Sequence, residues 1–285
     1  MAPRAALVGF LVPGAVVFAL FFVLPLASLA LEAFADGAGA FGRLLDDPLF
    51  WRGLRGTLLL GSLAPLVSLL VGTCVALHLA RLREGARLAL LFAISLPLTF
   101  SGLIVAYGFI LVLGRAGFVT LLLAGLGADP AVVAGFLFSP TGLGVAYCYY
   151  LIPRVVMVVL PVMLNFDQRQ VMAARALGAP AWRTWWDILL PQVYPSLIAA
   201  FCLTSAVAVG AYGTALALVG TQVNILPLLL YSKISETGLD FPAAAALSLV
   251  LMAICCLVIA LAELPGLRAA APAGRLRPVT RPAAP

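Results

Sequence analysis

The chain has 285 residues, of which 64% are hydrophobic and only 10% charged, and its mean hydropathy is +1.15. A soluble domain carries about 25% charged residues, so the composition excludes a water-soluble globule and requires a membrane protein. The formal net charge of +6 is spread over short polar segments with no aromatic-interleaved basic patch, which argues against nucleic-acid binding.

Six apolar runs approach or exceed the roughly 20 residues a spanning helix needs. They cover about 7–31, 55–80, 88–113, 140–163, 193–219 and 243–263. The runs are continuous rather than alternating, which excludes a β-barrel. The expected fold class is all-α, a polytopic membrane protein with a single transmembrane domain over residues 1–267. The first run follows Arg4, and Ser28-Leu29-Ala30 mimics a cleavage site. It is longer than the about 7–15-residue core of a signal peptide and reads as a retained span.

Charge sets the expected orientation. With six spans and the N-terminus inside, eleven basic residues fall in inside segments (among them Arg81, Arg83, Arg87, Arg169, Arg175 and Arg183) and five fall outside. That bias predicts a multi-pass membrane protein with both termini cytoplasmic. The tail over 268–285, rich in Ala, Pro and Arg, reads as disordered and able to lie on anionic lipid.

Several chemistries are absent. The five cysteines, Cys74, Cys148, Cys202, Cys255 and Cys256, all fall in predicted spans without zinc-site spacing. The lone histidine, His78, has no evident relay partners, and no His/Cys/Asp cluster suits a metal. No phosphate-cradling Gly-rich loop ends in Gly-Lys-Ser/Thr. No Asp or Glu lies mid-span, where a proton-coupled carrier usually keeps one. A non-catalytic pathway protein powered from outside the chain fits better than a stand-alone secondary carrier or enzyme, and its energy must enter through a cytoplasmic surface.

Residues 164–192 offer that surface. Asp167 is placed to cap a helix over 168–177, Val171, Ala174 and Leu177 give it an apolar face, and Gly178 supplies a left-handed stop. Pro180 opens a second short helix carrying Trp182, Trp185 and Trp186, and Pro191 and Pro195 frame re-entry into the membrane. Such a knob can dock in a groove of a soluble partner. An interfacial loop anchored by its tryptophans is the alternative.

The spacing Ala173-Ala174, three residues, Gly178, nine residues, Ile188-x-Leu190-Pro191 resembles the ATPase-coupling loop of permease subunits of binding-protein-dependent ABC importers. The polyamine-type group, which includes ferric-ion and phosphonate permeases, is the most similar. Leu44-Leu45-Asp46-Asp47-Pro48-Leu49-Phe50 with Gly56-Thr57-Leu58 resembles the entry to that group's second span. Pro97-Leu98-Thr99 through Gly108 resembles its third, and Phe138-Ser139-Pro140-Thr141 with Tyr147 and Pro153 its fourth.

The resemblance implies the type I importer permease fold and import of a small polar solute, polyamine-type favoured, with ferric ion or phosphonate as alternatives. It implies a second permease, homologous or identical, two ATPase subunits that use ATP and Mg2+, and an external solute-binding protein. It implies no cofactor or metal on this chain. Asp167, Gln170, Met172, Ala173, Ala174, Leu177, Gly178, Trp182 and Pro191 then form the coupling site. Met172 stands where the family has Glu, leaving Asp167 or Gln170 to substitute, or the partner permease to carry the stronger loop.

Polar residues inside spans are candidates to line the path, since lipid exposure is costly for them. These are Thr99, Ser101, Tyr107, Tyr147, Tyr150, Arg154, Thr204, Ser205, Tyr212 and Thr214. Small hydroxyl residues also serve helix packing. Arg154 either snorkels or faces the path, where it favours an anion.

Overall fold

A backbone in hydrocarbon must satisfy its own N–H and C=O groups, and a helix does so within one segment. The computed structural model describes residues 12–235 and 240–270, except for the side chains of Thr221 and 263–270. Among these residues there are helices and no strands. In chain order they are α1 (Val12–Ala33), α2 (Gly39–Asp46), α3 (Pro48–Ala80), α4 (Glu84–Ser95), α5 (Gly102–Leu113), α6 (Phe118–Gly125), α7 (Pro130–Leu137), α8 (Pro140–Leu164), α9 (Gln168–Ala176), α10 (Ala181–Val209), α11 (Tyr212–Val219), α12 (Leu226–Ser235) and α13 (Phe241–Ala270).

Six helical stretches are long and apolar enough to cross a membrane: α1, α3, Gly102–Gly125, α8, α10 and Phe241–Ala262. Helix α8 is central. More than half of its apolar window is buried, and it packs against α3, α10 and α11. The α3–α8 crossing is close because Gly72 has no side chain. A Cβ there would lie 2.7 Å from Val155 Cβ. Gly61 does the same for the α3–α10 crossing, 2.8 Å from Val209 Cγ2. Small residues permit this approach where no hydrophobic effect drives helices together. By contrast, none of the α1 window is buried, and only its second half meets α13.

Two spans differ from the continuous helices expected from hydropathy. The run over 88–113 is divided: α4 ends at Ser95, a 3-10 turn covers Leu96–Thr99, and α5 restarts after Phe100 and Ser101, both extended. Pro97 in the 3-10 turn lacks the N–H that a continuing ladder needs. Span five starts earlier than residue 193, since α10 runs from Ala181, and it breaks at Gly210-Ala211 before α11. Residues 114–139, which carried no predicted element, form the short helices α6 and α7. At the C-terminus α13 continues through Ala270, so residues 268–270 of the expected disordered tail are helical. Residues 271–285 lie outside the described residues, as does Arg4.

At the end remote from α9, ion pairs tie the connecting segments together. Lys233 Nζ lies 2.8 Å from Asp47 Oδ2, and the Arg43 guanidinium bridges Asp36 at 3.1 Å and Asp240 at 3.2 Å. Burial alone would raise the Asp47 carboxyl, but Lys233 and the Leu49 N–H outweigh it and hold it below its ordinary value. All five cysteines are unpaired, and no cluster among the described residues could hold a metal ion.

Candidate coupling and translocation sites

The 164–192 segment folds as its sequence dictates over its first half. Asp167 Oδ1 accepts the Arg169 N–H at 2.9 Å and caps α9. Gly178 adopts φ +82°. Its N–H donates to Arg175 O at 2.9 Å, and the Ala179 N–H donates to Ala174 O at 3.0 Å, which closes a Schellman stop. A Cβ on Gly178 would meet nothing within 4 Å, so backbone sign rather than space demands glycine there.

The second half differs from the expected short helix. Residues Ala181–Thr184 enter a π turn at Trp185–Leu189 that feeds directly into the spanning helix, so Pro191 lies inside one continuous α10. The widened turn directly precedes Pro191, which has no N–H for a regular ladder. Helix α9 is thus joined to α10 by the short connection over residues 177–180. Thr184, not singled out from sequence, is buried and donates to Pro180 O at 3.2 Å, locking the turn. Gln192, also missed, donates from Nε2 to Gln170 Oε1 at 2.6 Å and clamps α9 to α10.

The expected apolar stripe of α9 is divided by packing. Val171 and Ala174 are half-buried against the body, with Val171 lining a 720 Å³ cavity beside Arg81, Arg87 and Arg175. Leu177 is 88% exposed, Met172 61% and Trp182 63%, and Ala173 is exposed as well. Asp167 caps α9 through Oδ1 and Gln170 Oε1 accepts from Gln192, so both are engaged within the loop.

The candidate path residues separate into groups. Tyr147 and Tyr150 lie one turn apart on α8 with ring centroids 5.8 Å apart. The Tyr147 hydroxyl donates at 2.9 Å to Ala211 O, a carbonyl at the break in span five. The Tyr150 hydroxyl lies beside the Thr214 side chain, with the Arg154 charge near enough to act on it. Tyr212 stacks at 5.6 Å on Tyr231 of α12. Thr99 and Ser101 cap the break in span three, Thr99 donating to Leu96 O at 2.7 Å and Ser101 accepting from Ile104 N at 3.4 Å. Thr204 bonds Ala200 O at 2.7 Å within its own helix. Ser205 falls in the α3–α10 packing seam behind Gly61. Tyr107 is exposed on α5, apart from the tyrosine pair.

Comparison with known proteins agrees with this architecture. Residues 66–265 match the family described as binding-protein-dependent transport system inner membrane component. The sulfate transport system permease protein CysW of Synechocystis sp. is 27% identical over 262 residues, covering 90% of this chain and 93% of that protein. The spermidine/putrescine permease PotB of Salmonella typhimurium is 31% identical over 172 residues, only 60% of this chain and 59% of that protein. Sulfate permeases therefore resemble the chain over more of its length than does the polyamine group expected from sequence. This chain spans 62% of the length of sulfate permease 2, chloroplastic, of Chlamydomonas reinhardtii, at 28% identity over 81% of the chain. A bacterial alginate ABC transporter, crystallised with an alginate pentasaccharide-bound periplasmic protein, contains a chain of the same fold. Its TM-score is 0.76 at 20% identity, over 93% of this chain and 94% of that one. The helical bundle, its divided spans and the family match over most of the chain lead to one conclusion: the chain belongs to the binding-protein-dependent transport system inner membrane components and is a multi-pass permease subunit of an ABC importer.

Proposed function

We propose that this permease belongs to an importer for a small tetrahedral oxyanion of the sulfate class. One observation carries the reading: likeness to a sulfate permease extends over 90% of this chain and 93% of CysW, whereas likeness to PotB stops at 60% of the chain. The chain pairs with a second permease to complete the path. Two ATPase subunits using ATP and Mg2+ dock at the α9 end, and a solute-binding protein docks at the other. Both termini are cytoplasmic, because eleven of the chain's basic residues then lie inside.

In this reading the outward surface of Met172, Leu177 and Trp182 seats in a groove of the ATPase. Closure of the ATPase dimer moves α9, and the Gly178 stop and the Gln170–Gln192 bond pass that displacement to α10. Helix α10 packs on both α3 and α8, so its tilt reaches the path. Apolar docking suits this loop, since Met172 offers no charge.

The test is uptake. Cells lacking the importer are complemented with the intact system, and radiolabelled sulfate and spermidine uptake are compared. Restored sulfate uptake, competed by excess unlabelled oxyanion and unaffected by spermidine, is expected. Restored spermidine uptake with no sulfate uptake overturns the reading.

A further inference from the structure

Two half-helices begin at the same place in the interior. Helix α5 starts at Gly102 and α11 at Tyr212, and the two pack on each other. A Cβ on Gly102 would collide with Thr214 Oγ1, and one on Gly213 would lie 3.6 Å from Leu103 N. The first-turn N–H groups of both helices lack intrahelical acceptors, and each N-terminus carries partial positive charge. Tyr150 projects to this junction from α8. It is 7% exposed, beside Thr214, yet its hydroxyl makes no well-formed hydrogen bond.

Arg154 follows one turn along α8, on the stripe of Tyr147 and Tyr150. It lies ten residues from Leu164, about 15 Å by helix rise, near the middle of a core roughly 30 Å thick. Its Nε is buried without a partner. Among the described residues Arg154 forms no ion pair, and α5, α8 and α11 contain no Asp or Glu to neutralise it. An uncompensated cation in hydrocarbon is costly, and this one is near enough to Tyr150 to act on its hydroxyl. An anion at that hydroxyl would meet both the charge and the N-termini beside Thr214.

We infer that Arg154, Tyr150, Thr214 and the N-termini of α5 and α11 form a binding subsite within the membrane for an oxyanion in transit. The inference rests on the oxyanion reading above and gives it a location. The guanidinium supplies the charge, the two hydroxyls donate hydrogen bonds to oxygens, and the backbone N–H groups receive the remaining lone pairs. The breaks in spans three and five free those N–H groups at membrane depth. The Tyr147–Ala211 bond, at 2.9 Å, holds the second break open.

The experiment uses the complete complex, two permeases with ATPase and binding protein, in proteoliposomes. Sulfate uptake is measured as KM and maximal rate for wild type, Arg154→Gln, Arg154→Lys and Tyr150→Phe. Arg154→Gln is expected to lower uptake efficiency by about tenfold or more, the scale of one lost charge-assisted hydrogen bond. Arg154→Lys is expected to recover most of that loss, and Tyr150→Phe, which removes only a hydroxyl, to lower efficiency about three- to tenfold. Equilibrium binding of radiolabelled sulfate to the purified complex without binding protein should fall in the same order. If wild type moves sulfate while Arg154→Gln and Tyr150→Phe match it in uptake and binding, the subsite is overturned and the oxyanion reading stands. If Arg154→Gln fails to assemble, Tyr150→Phe and Arg154→Lys decide alone, with wild-type behaviour in both overturning the subsite. If wild type moves no oxyanion, the functional reading itself falls.

Discussion

The knob at α9 and the junction around Tyr150 use polar and apolar groups in opposite senses. The knob exposes apolar side chains to water, with Leu177 88% and Trp182 63% accessible. The junction hides polar ones in an apolar bundle, with Tyr147 and Tyr150 buried. Each inversion costs free energy in the isolated chain. On the proposed reading, a protein surface covers the first and a transported anion relieves the second. Local geometry is tight in both: a Schellman stop at Gly178 in one, a tyrosine-held carbonyl in the other.

Substitutions at five positions sharpen or break this contrast. The largest effect is expected at Leu177→Asp. An unpaired carboxylate in a buried contact costs on the order of 3 kcal/mol or more, so the ATPase should no longer co-purify, while membrane insertion is unchanged. Retention of the ATPase would show that the exposed apolar surface is not the docking face. Ala174→Asp makes the companion case: its half-buried position makes α9 itself the casualty, read as protease sensitivity of the loop.

Tyr147→Phe comes next. Removing the hydroxyl leaves Ala211 O without its partner in the interior, a loss of about 1–3 kcal/mol. A lower thermal midpoint of the detergent-purified complex, with unchanged ATPase binding, is expected. An unchanged midpoint would mean that the span-five break needs no side-chain support.

Gly178→Leu should cost about 1–2 kcal/mol, because an L-residue resists the left-handed backbone. Open space around the position means that no clash adds to this. The expected phenotype is uncoupling, with ATP hydrolysis no longer stimulated by the loaded binding protein. Gly178→Asn, better tolerated at such a stop, should retain most stimulation. Equal behaviour of the two variants would remove backbone sign from the explanation.

Met172→Glu is the mildest. It restores the acid at the family position on an exposed surface, where a pair is worth roughly 0–1 kcal/mol. Co-purification should be intact and ATPase activity should change by less than about threefold. Loss of the ATPase in this variant would show that the apolar character of Met172 itself is essential.

The sequence by itself determined the membrane class, the helical backbone and the loop that carries the motif. Long apolar runs leave no other way to satisfy backbone polar groups in lipid, and Asp167 and Gly178 act through contacts within a few residues, which spacing alone reveals. Hydropathy could not reveal the breaks at Phe100-Ser101 and Gly210-Ala211, because those residues are apolar or small and leave the average unchanged. It missed the continuation of α10 through Pro191, which depends on a π turn, and it missed Thr184 and Gln192, whose partners follow from helix placement. The direction of α9 was likewise a tertiary matter. Val171 and Ala174 share a stripe with Leu177 on paper, yet packing against the body takes the first two and leaves the third in water. Arg154 makes the same point most sharply. Its charge is plain in the sequence, but that the hydroxyl it acts on, Tyr150, meets Thr214 at the start of α5 is decided only by how α5, α8 and α11 come together.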